Sequence, residues 1–317
     1  MSVTRRRILT RLMPVAVLAA CSPDPEPSGP AIPEVPLLVV STTSFAASLV
    51  HTIGAEAVDS QCLLKSGISP HNYQPTAADL SLLQRCDLLI VHGLGLEDKW
   101  GLNLDALRSS GVKVMEIAPG IPADQLIHLN DPAGPVDPHV WMDPRLAAAM
   151  SRRVGEILKA SLPKLETWLQ QRSHETAVRL EDNYRKTLRK LEALPEAERF
   201  LFTSHDTMRY FARAYKLEAR SLATANGLAE KAMAQDLLDW LTRNKVRTMF
   251  REQETDLTGL RKLLGEYKIK PDQVIYSLSL APPAVTHLTS VSVLHLNQIV
   301  DALRYNADVI SDTLITD

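Results

Sequence analysis

The chain has 317 residues, 45% of them hydrophobic, 23% charged and 5% aromatic. That is too long for one small module and too apolar for a disordered chain, and it suits two domains of roughly 120–150 residues each. The formal charge is −2, and Arg5, Arg6, Arg7 and Arg11 crowd into an N-terminus without acids. The rest is mildly acidic with no basic stripe, which argues against nucleic acid as a partner.

Residues 1–21 read as a signal peptide: a basic start, a short apolar run from Met13 to Ala20, and the small-residue end Leu18-Ala19-Ala20-Cys21. The run is too short to span a bilayer, which takes about 20 residues. Leu-Ala-Ala-Cys resembles the lipobox of bacterial lipoproteins, which implies that Cys21 carries the lipid and anchors the chain to a membrane. Residues 22–35 hold Pro23, Pro25, Pro27, Pro30 and Pro33 and form an extended tether. Export also places Cys62 and Cys86 in an oxidising compartment, where a disulfide between them is possible.

From Pro36 short apolar runs alternate with helical periods. Strands are expected at Leu37–Val40, near 61–64, at 86–91 and at 112–117, with helices through 47–53 and 76–83. Asp143-Pro144 is a helix start, with a capping side chain and Pro in the first turn, and that helix runs to about Ala160. The charged stretch 163–194, free of Gly and Pro after Pro163, predicts one long helix crossing two domains. Alternation resumes at 200–203, with strands at 246–250 and 273–277 and helices near 207–215, 230–242, 256–267 and 291–305. The fold class is therefore α/β: an N-terminal lobe (36–160) and a C-terminal lobe (196–317), each with a mostly parallel sheet flanked by helices, joined by a long rigid helix within 161–195.

Of nine histidines, three stand in turn-rich loops beside strands. They are His71 in Ser69-Pro70-His71-Asn72-Tyr73, His139 in Asp137-Pro138-His139-Val140-Trp141, and His205 in Thr203-Ser204-His205-Asp206. In open α/β sheets, ligands sit beyond the carboxyl ends of the strands. Two histidines from one lobe and one from the other could meet there, and imidazole is the commonest metal ligand. His51, His174, His287 and His295 fall on or near helices and read as surface or capping residues, as does His92; His128 sits in a polar loop.

These motifs carry a resemblance. Gly67-x-x-Pro70-His71-x-Tyr73-x-Pro75-Thr76-x-x-Asp79-Leu80, Cys86-Asp87-Leu88-Leu89-Ile90-x-x-Gly93-Leu94-Gly95-Leu96-Glu97 and Asp137-Pro138-His139-x-Trp141-x-Asp143-Pro144 lie in the first half. Ser204-His205-Asp206-x-x-x-Tyr210-Phe211 and Leu296-Asn297 follow in the second. In this order, behind a lipobox, they resemble the zinc/manganese class of ABC-transporter solute-binding proteins. The resemblance implies the metal-type periplasmic binding fold and one divalent cation held by His71, His139 and His205. It also implies delivery to an ABC permease driven by a cytoplasmic ATPase, with a monomer expected and no enzymatic activity. Three imidazoles favour Zn2+ over Mn2+ or another divalent transition metal.

The sequence departs from the family at one point. Where many members place a ligating Asp after the last strand, Tyr276-Ser277-Leu278 puts Leu278, which cannot ligate. A water, or a carboxylate such as Glu252 or Glu254, is left to complete the shell. Asp206 or Glu97 is expected to balance the ion's charge from nearby, and Asp143 to cap its helix rather than orient His139. Three histidines and a water could also serve a zinc hydrolase or lyase, but no His-Glu-x-x-His or other acid–base set accompanies them. The loss of the fourth ligand leaves a metal-blind adhesin or scaffold as the other alternative.

Overall fold

The computed structural model describes residues 30–64, 68–129, 133–224, 227–228, 231–252, 264–265, 268–275 and 297–316. Cys21 with the export segment, residues 22–29 of the tether, most of the helix expected at 256–267, Glu254, Leu278, His287 and His295 lie outside them.

In the first half the apolar runs become strands β1 (Leu37–Ser41), β2 (Val58–Cys62), β3 (Leu88–Val91) and β4 (Lys113–Glu116), all parallel, in the order β2-β1-β3-β4. Helices α1 (Ser44–Gly54), α2 (Ala77–Leu83) and α3 (Leu104–Ser109) connect them in turn. The neighbours β1 and β3 are not consecutive, so the chain order reverses between them, and sheets of this kind bind ligands at that reversal. The helix starts are written in the sequence. Thr43 Oγ1 accepts from Ala46 N–H at α1, Thr76 and Asp79 form a reciprocal capping box at α2, and Asp143 caps α4 (Pro144–Ser161) with Pro144 in its first turn.

The long helix α5 is Glu166–Glu192, 27 residues or about 40 Å; a tight turn at Pro163–Leu165 precedes it. Its buried Leu169, Ala177, Leu180 and Leu191 pack along α4, α1 and the second half's α6 (Arg209–Tyr215) and α8 (Asn297–Thr316). The α4–α5 approach depends on Gly155: a Cβ there would stand 2.4 Å from Ser173 Oγ and 2.5 Å from its Cβ. Beside it, Ser151 and Ser173 hydroxyls each donate to the other's carbonyl. Gly155→Ala is expected to destabilise the protein by about 1–3 kcal/mol through overpacking. A lower urea midpoint with an unchanged slope checks this; an unchanged midpoint contradicts it.

In the second half, β5 (Phe200–His205), β6 (Glu218–Thr224), β7 (Gly227–Leu228), β8 (Thr248–Glu252) and β9 (Lys270–Ile275) form a sheet in the order β7-β6-β5-β8-β9, with only β7 antiparallel. Helix α7 (Lys231–Arg243) packs against it. The reversal lies between β5 and β8, whose last residues are His205 and Glu252. One apolar core runs from Val39 and Phe45 through Leu146 and Leu180 to Leu201, Tyr210 and Phe250.

Strands β6 and β7 and helix α3 are additions to the sequence-based elements. Only Lys216, at a left-handed φ of 57°, and Leu217 separate β6 from α6, so no polar loop announces the strand. Cys62 and Cys86 are free thiols, each donating to a backbone carbonyl, so the permitted disulfide is not formed. Burial pushes them up to about 12 and about 11. Among the described residues no helix is long and apolar enough to cross a membrane.

Candidate metal centre

His71 sits on the short turn Pro70–Asn72, ahead of α2, where its N–H donates to Ser69 Oγ at 3.3 Å. The preceding carbonyl, Pro70 O, accepts from the buried Trp100 indole N–H at 2.6 Å. His139 ends the Asp-Pro-His turn ahead of α4. Asp137 Oδ1 accepts both its backbone N–H, at 3.0 Å, and its ring Nδ1–H, at 2.7 Å. A carboxylate oxygen can only accept here, so Nδ1 carries a proton and Nε2 is the nitrogen directed at the cluster. Asp137 is itself held: its N–H donates to Ile127 O, and its carbonyl accepts from Tyr210 OH at 2.9 Å. Tyr210 comes from α6, so the second half of the chain braces a histidine of the first. His205 closes β5, and its N–H donates to Glu252 Oε2 at 3.0 Å across the β5–β8 reversal. Its Nδ1 is buried with no hydrogen-bond partner among the described residues.

The three rings converge. His71 Nε2 and His139 Nε2 are 3.2 Å apart, and the centroids of the 71–139, 71–205 and 139–205 pairs are separated by 5.2, 5.3 and 5.9 Å. One ligand atom from each lies within 4.8 Å of the others. Two nitrogens that share a tetrahedral zinc at ~2.0–2.1 Å stand about 3.3–3.4 Å apart, close to the His71–His139 spacing. Burial first, then repulsion from the neighbouring imidazoles, lowers His71 to about 3 and His205 to about 4. Both are therefore neutral at physiological pH, with lone pairs free for a cation.

Over residues 39–313 the chain matches the family model described as ZnuA, zinc-uptake complex component A, periplasmic. The chain belongs to the ZnuA family. Its role is that of a solute-binding component of ABC metal transport, and it is not an enzyme. The zinc-binding protein TroA of Treponema pallidum (strain Nichols) is 32% identical over 217 residues, 68% of this chain and 70% of that protein. The manganese-binding lipoprotein MntA of Bacillus subtilis (strain 168) is 27% identical over 242 residues, 74% of this chain and 76% of that protein. The solved structure of the periplasmic zinc-binding protein TroA from Treponema pallidum superposes with a TM-score of 0.78 at 26% identity, covering 88% of this chain and 99% of that one.

In this ZnuA-family chain the acids around the site differ from those expected. Asp206 pairs with Arg209, and Glu97 accepts from Thr42 Oγ1, His92 N–H and Gly93 N–H, so neither contacts the three rings. Asp137 instead contacts one of them, the His139 ring, and its signal was the two-residue offset in Asp-Pro-His, which lets one carboxylate reach both N–H groups of the histidine. Asp143 caps α4 and pairs with Arg145. Glu252, considered as a fourth ligand, is buried holding the hydroxyls of Ser204 and Thr207 and the His205 N–H. His92 is fully buried rather than a surface residue; its Nε2 donates to Pro138 O at 2.8 Å, and burial lowers it to about 3.

This burial sets a pH dependence. His71, His92 and His205 stay neutral when folded but take a proton near 6.5 once unfolded. Below 6.5 the unfolded chain binds more protons, so metal-free stability falls as pH drops and is progressively lost toward the folded values. Urea unfolding of the metal-free protein between pH 6.5 and about 5 should show a slope of at least two protons taken up on unfolding. A flat profile contradicts it.

Proposed function

We propose that this protein captures one zinc ion between His71, His139 and His205 outside the cytoplasmic membrane. It then passes the ion to an ABC permease whose cytoplasmic ATPase drives import. The reading rests on one observation: the convergent cluster consists of three imidazoles, with no carboxylate among the described residues that joins it. Zinc accepts nitrogen ligands in a tetrahedron, whereas manganese favours oxygen-rich octahedra. A water is assigned to the fourth position: Glu252 is engaged elsewhere, Leu278 cannot ligate, and Glu254 lies outside the described residues.

The same reading assigns residues 1–21 to a signal peptide, Cys21 to the lipid anchor and 22–35 to the tether of a periplasmic or surface-bound monomer. Residues 36–160 and 196–317 are its lobes, with the joining helix inside 161–195. Titration calorimetry on the metal-stripped protein should give one zinc per chain and a weaker response to manganese. No zinc heat, or manganese binding as tightly as zinc, contradicts it.

The lowered histidines flatten the pH profile. Three ordinary imidazoles would lose about several-hundredfold in affinity between pH 7 and 5.5, through proton competition alone. With His71 and His205 already neutral, a loss far smaller than that is expected in chelator-competition titrations at the two pH values. A several-hundredfold loss would show that both imidazoles titrate normally.

A further inference from the structure

We infer that residues 92–100 form a positioning bracket that fixes both His71 and His139 for the metal, acting through two proline carbonyls. The inference rests on the metal-site reading above and adds residues that touch no ion. His71 and His139 each follow a proline, whose ring locks φ and removes a backbone donor. The peptide unit joining that proline to the histidine is then pinned on both edges. On the carbonyl side, Trp100 Nε1–H donates to Pro70 O at 2.6 Å, and His92 Nε2–H donates to Pro138 O at 2.8 Å. On the amide side, His71 N–H donates to Ser69 Oγ at 3.3 Å, and His139 N–H donates to Asp137 Oδ1 at 3.0 Å.

Both ring donors come from one segment, and both are buried, His92 to 0% and Trp100 to 1% exposure. Glu97 fastens the segment from within, accepting His92 N–H at 2.7 Å, Gly93 N–H at 3.1 Å and Thr42 Oγ1 at 2.6 Å. Gly93 has a φ of 89°, where a side chain is strained, and a Cβ there would stand 3.0 Å from Glu116 Oε2. The spacing of two ligands from separate loops is thus set by one short run of chain. His92 is not among the three residues whose ring nitrogens converge, and its Nε2–H is committed to Pro138 O.

The test measures zinc affinity by chelator competition, with the visible absorption of bound cobalt(II) as a geometric signature. Trp100→Phe and His92→Leu each remove one ring donor and should weaken zinc about 10–100-fold, the usual cost of losing support behind a metal ligand. Stoichiometry should stay at one and the cobalt bands should shift. His92→Gln, whose side-chain amide can donate in place of Nε2, should recover most of the loss. Trp240→Phe is the matched control: it deletes an indole N–H bond, to Glu218 Oε1 at 2.6 Å, away from the bracket, and should leave affinity unchanged. The inference is overturned if Trp100→Phe and His92→Leu bind zinc like the parent, or if Trp240→Phe weakens binding as much as they do. A parent protein that binds no zinc instead overturns the metal-site reading, and the bracket with it.

Discussion

His139→Ala should lose tight zinc binding by two to three powers of ten. Apparent zinc affinities of about 10–16 kcal/mol, shared over three or four ligands, assign about 3–4 kcal/mol to each, and His139 is central to this cluster. It is buried, its Nε2 faces His71 Nε2 at 3.2 Å, and its ring tautomer is fixed by Asp137. Alanine removes the nitrogen and also strands the buried Asp137 carboxylate without its ring donor, so metal-free stability should fall as well. The exposed His174 on α5 supplies the comparison: His174→Ala should bind zinc as the parent does. Equal affinity in His139→Ala and the parent would remove this residue from the site.

Asp137→Ala should weaken zinc about 10–100-fold without removing a ligand. The carboxylate performs two tasks that depend on its place two residues before His139. It accepts the backbone N–H, which shapes the turn, and it accepts the ring Nδ1–H, which directs Nε2 toward the cluster and raises its basicity. Asp137→Asn keeps an acceptor oxygen but not the charge, so its loss should be smaller, about tenfold. The graded order aspartate, asparagine, alanine in zinc titrations distinguishes a charged second partner from a purely geometric one. Equal affinities across the three would show that His139 needs no support.

Much of this was legible in the sequence because it is local. Val39-Val40 and Leu88-Leu89-Ile90 read as buried strands, Asp143-Pro144 as a helix start, and Pro70-His71, Asp137-Pro138-His139 and Ser204-His205 as turns carrying candidate ligands. What escaped is tertiary. His92 meets Pro138 from 46 positions away and Trp100 meets Pro70 from 30, and nothing within either segment announces its partner. His92 read as an ordinary capping or surface histidine for that reason. Glu252 had the right chemistry for a ligand, but its oxygens are consumed by the β5–β8 reversal, a fact of sheet order that no local pattern carries. Strand β6 was hidden by its mixed composition, Glu218-Ala219-Arg220-Ser221, with one face toward solvent.

The most direct measurement is a crystal structure of the zinc-loaded protein with anomalous diffraction collected at the zinc edge. One strong peak is expected, within about 2.0–2.1 Å of one ring nitrogen from each of His71, His139 and His205. A zinc-loaded crystal whose anomalous peak lies away from these three rings, or touches only one of them, would contradict the shared-ion site.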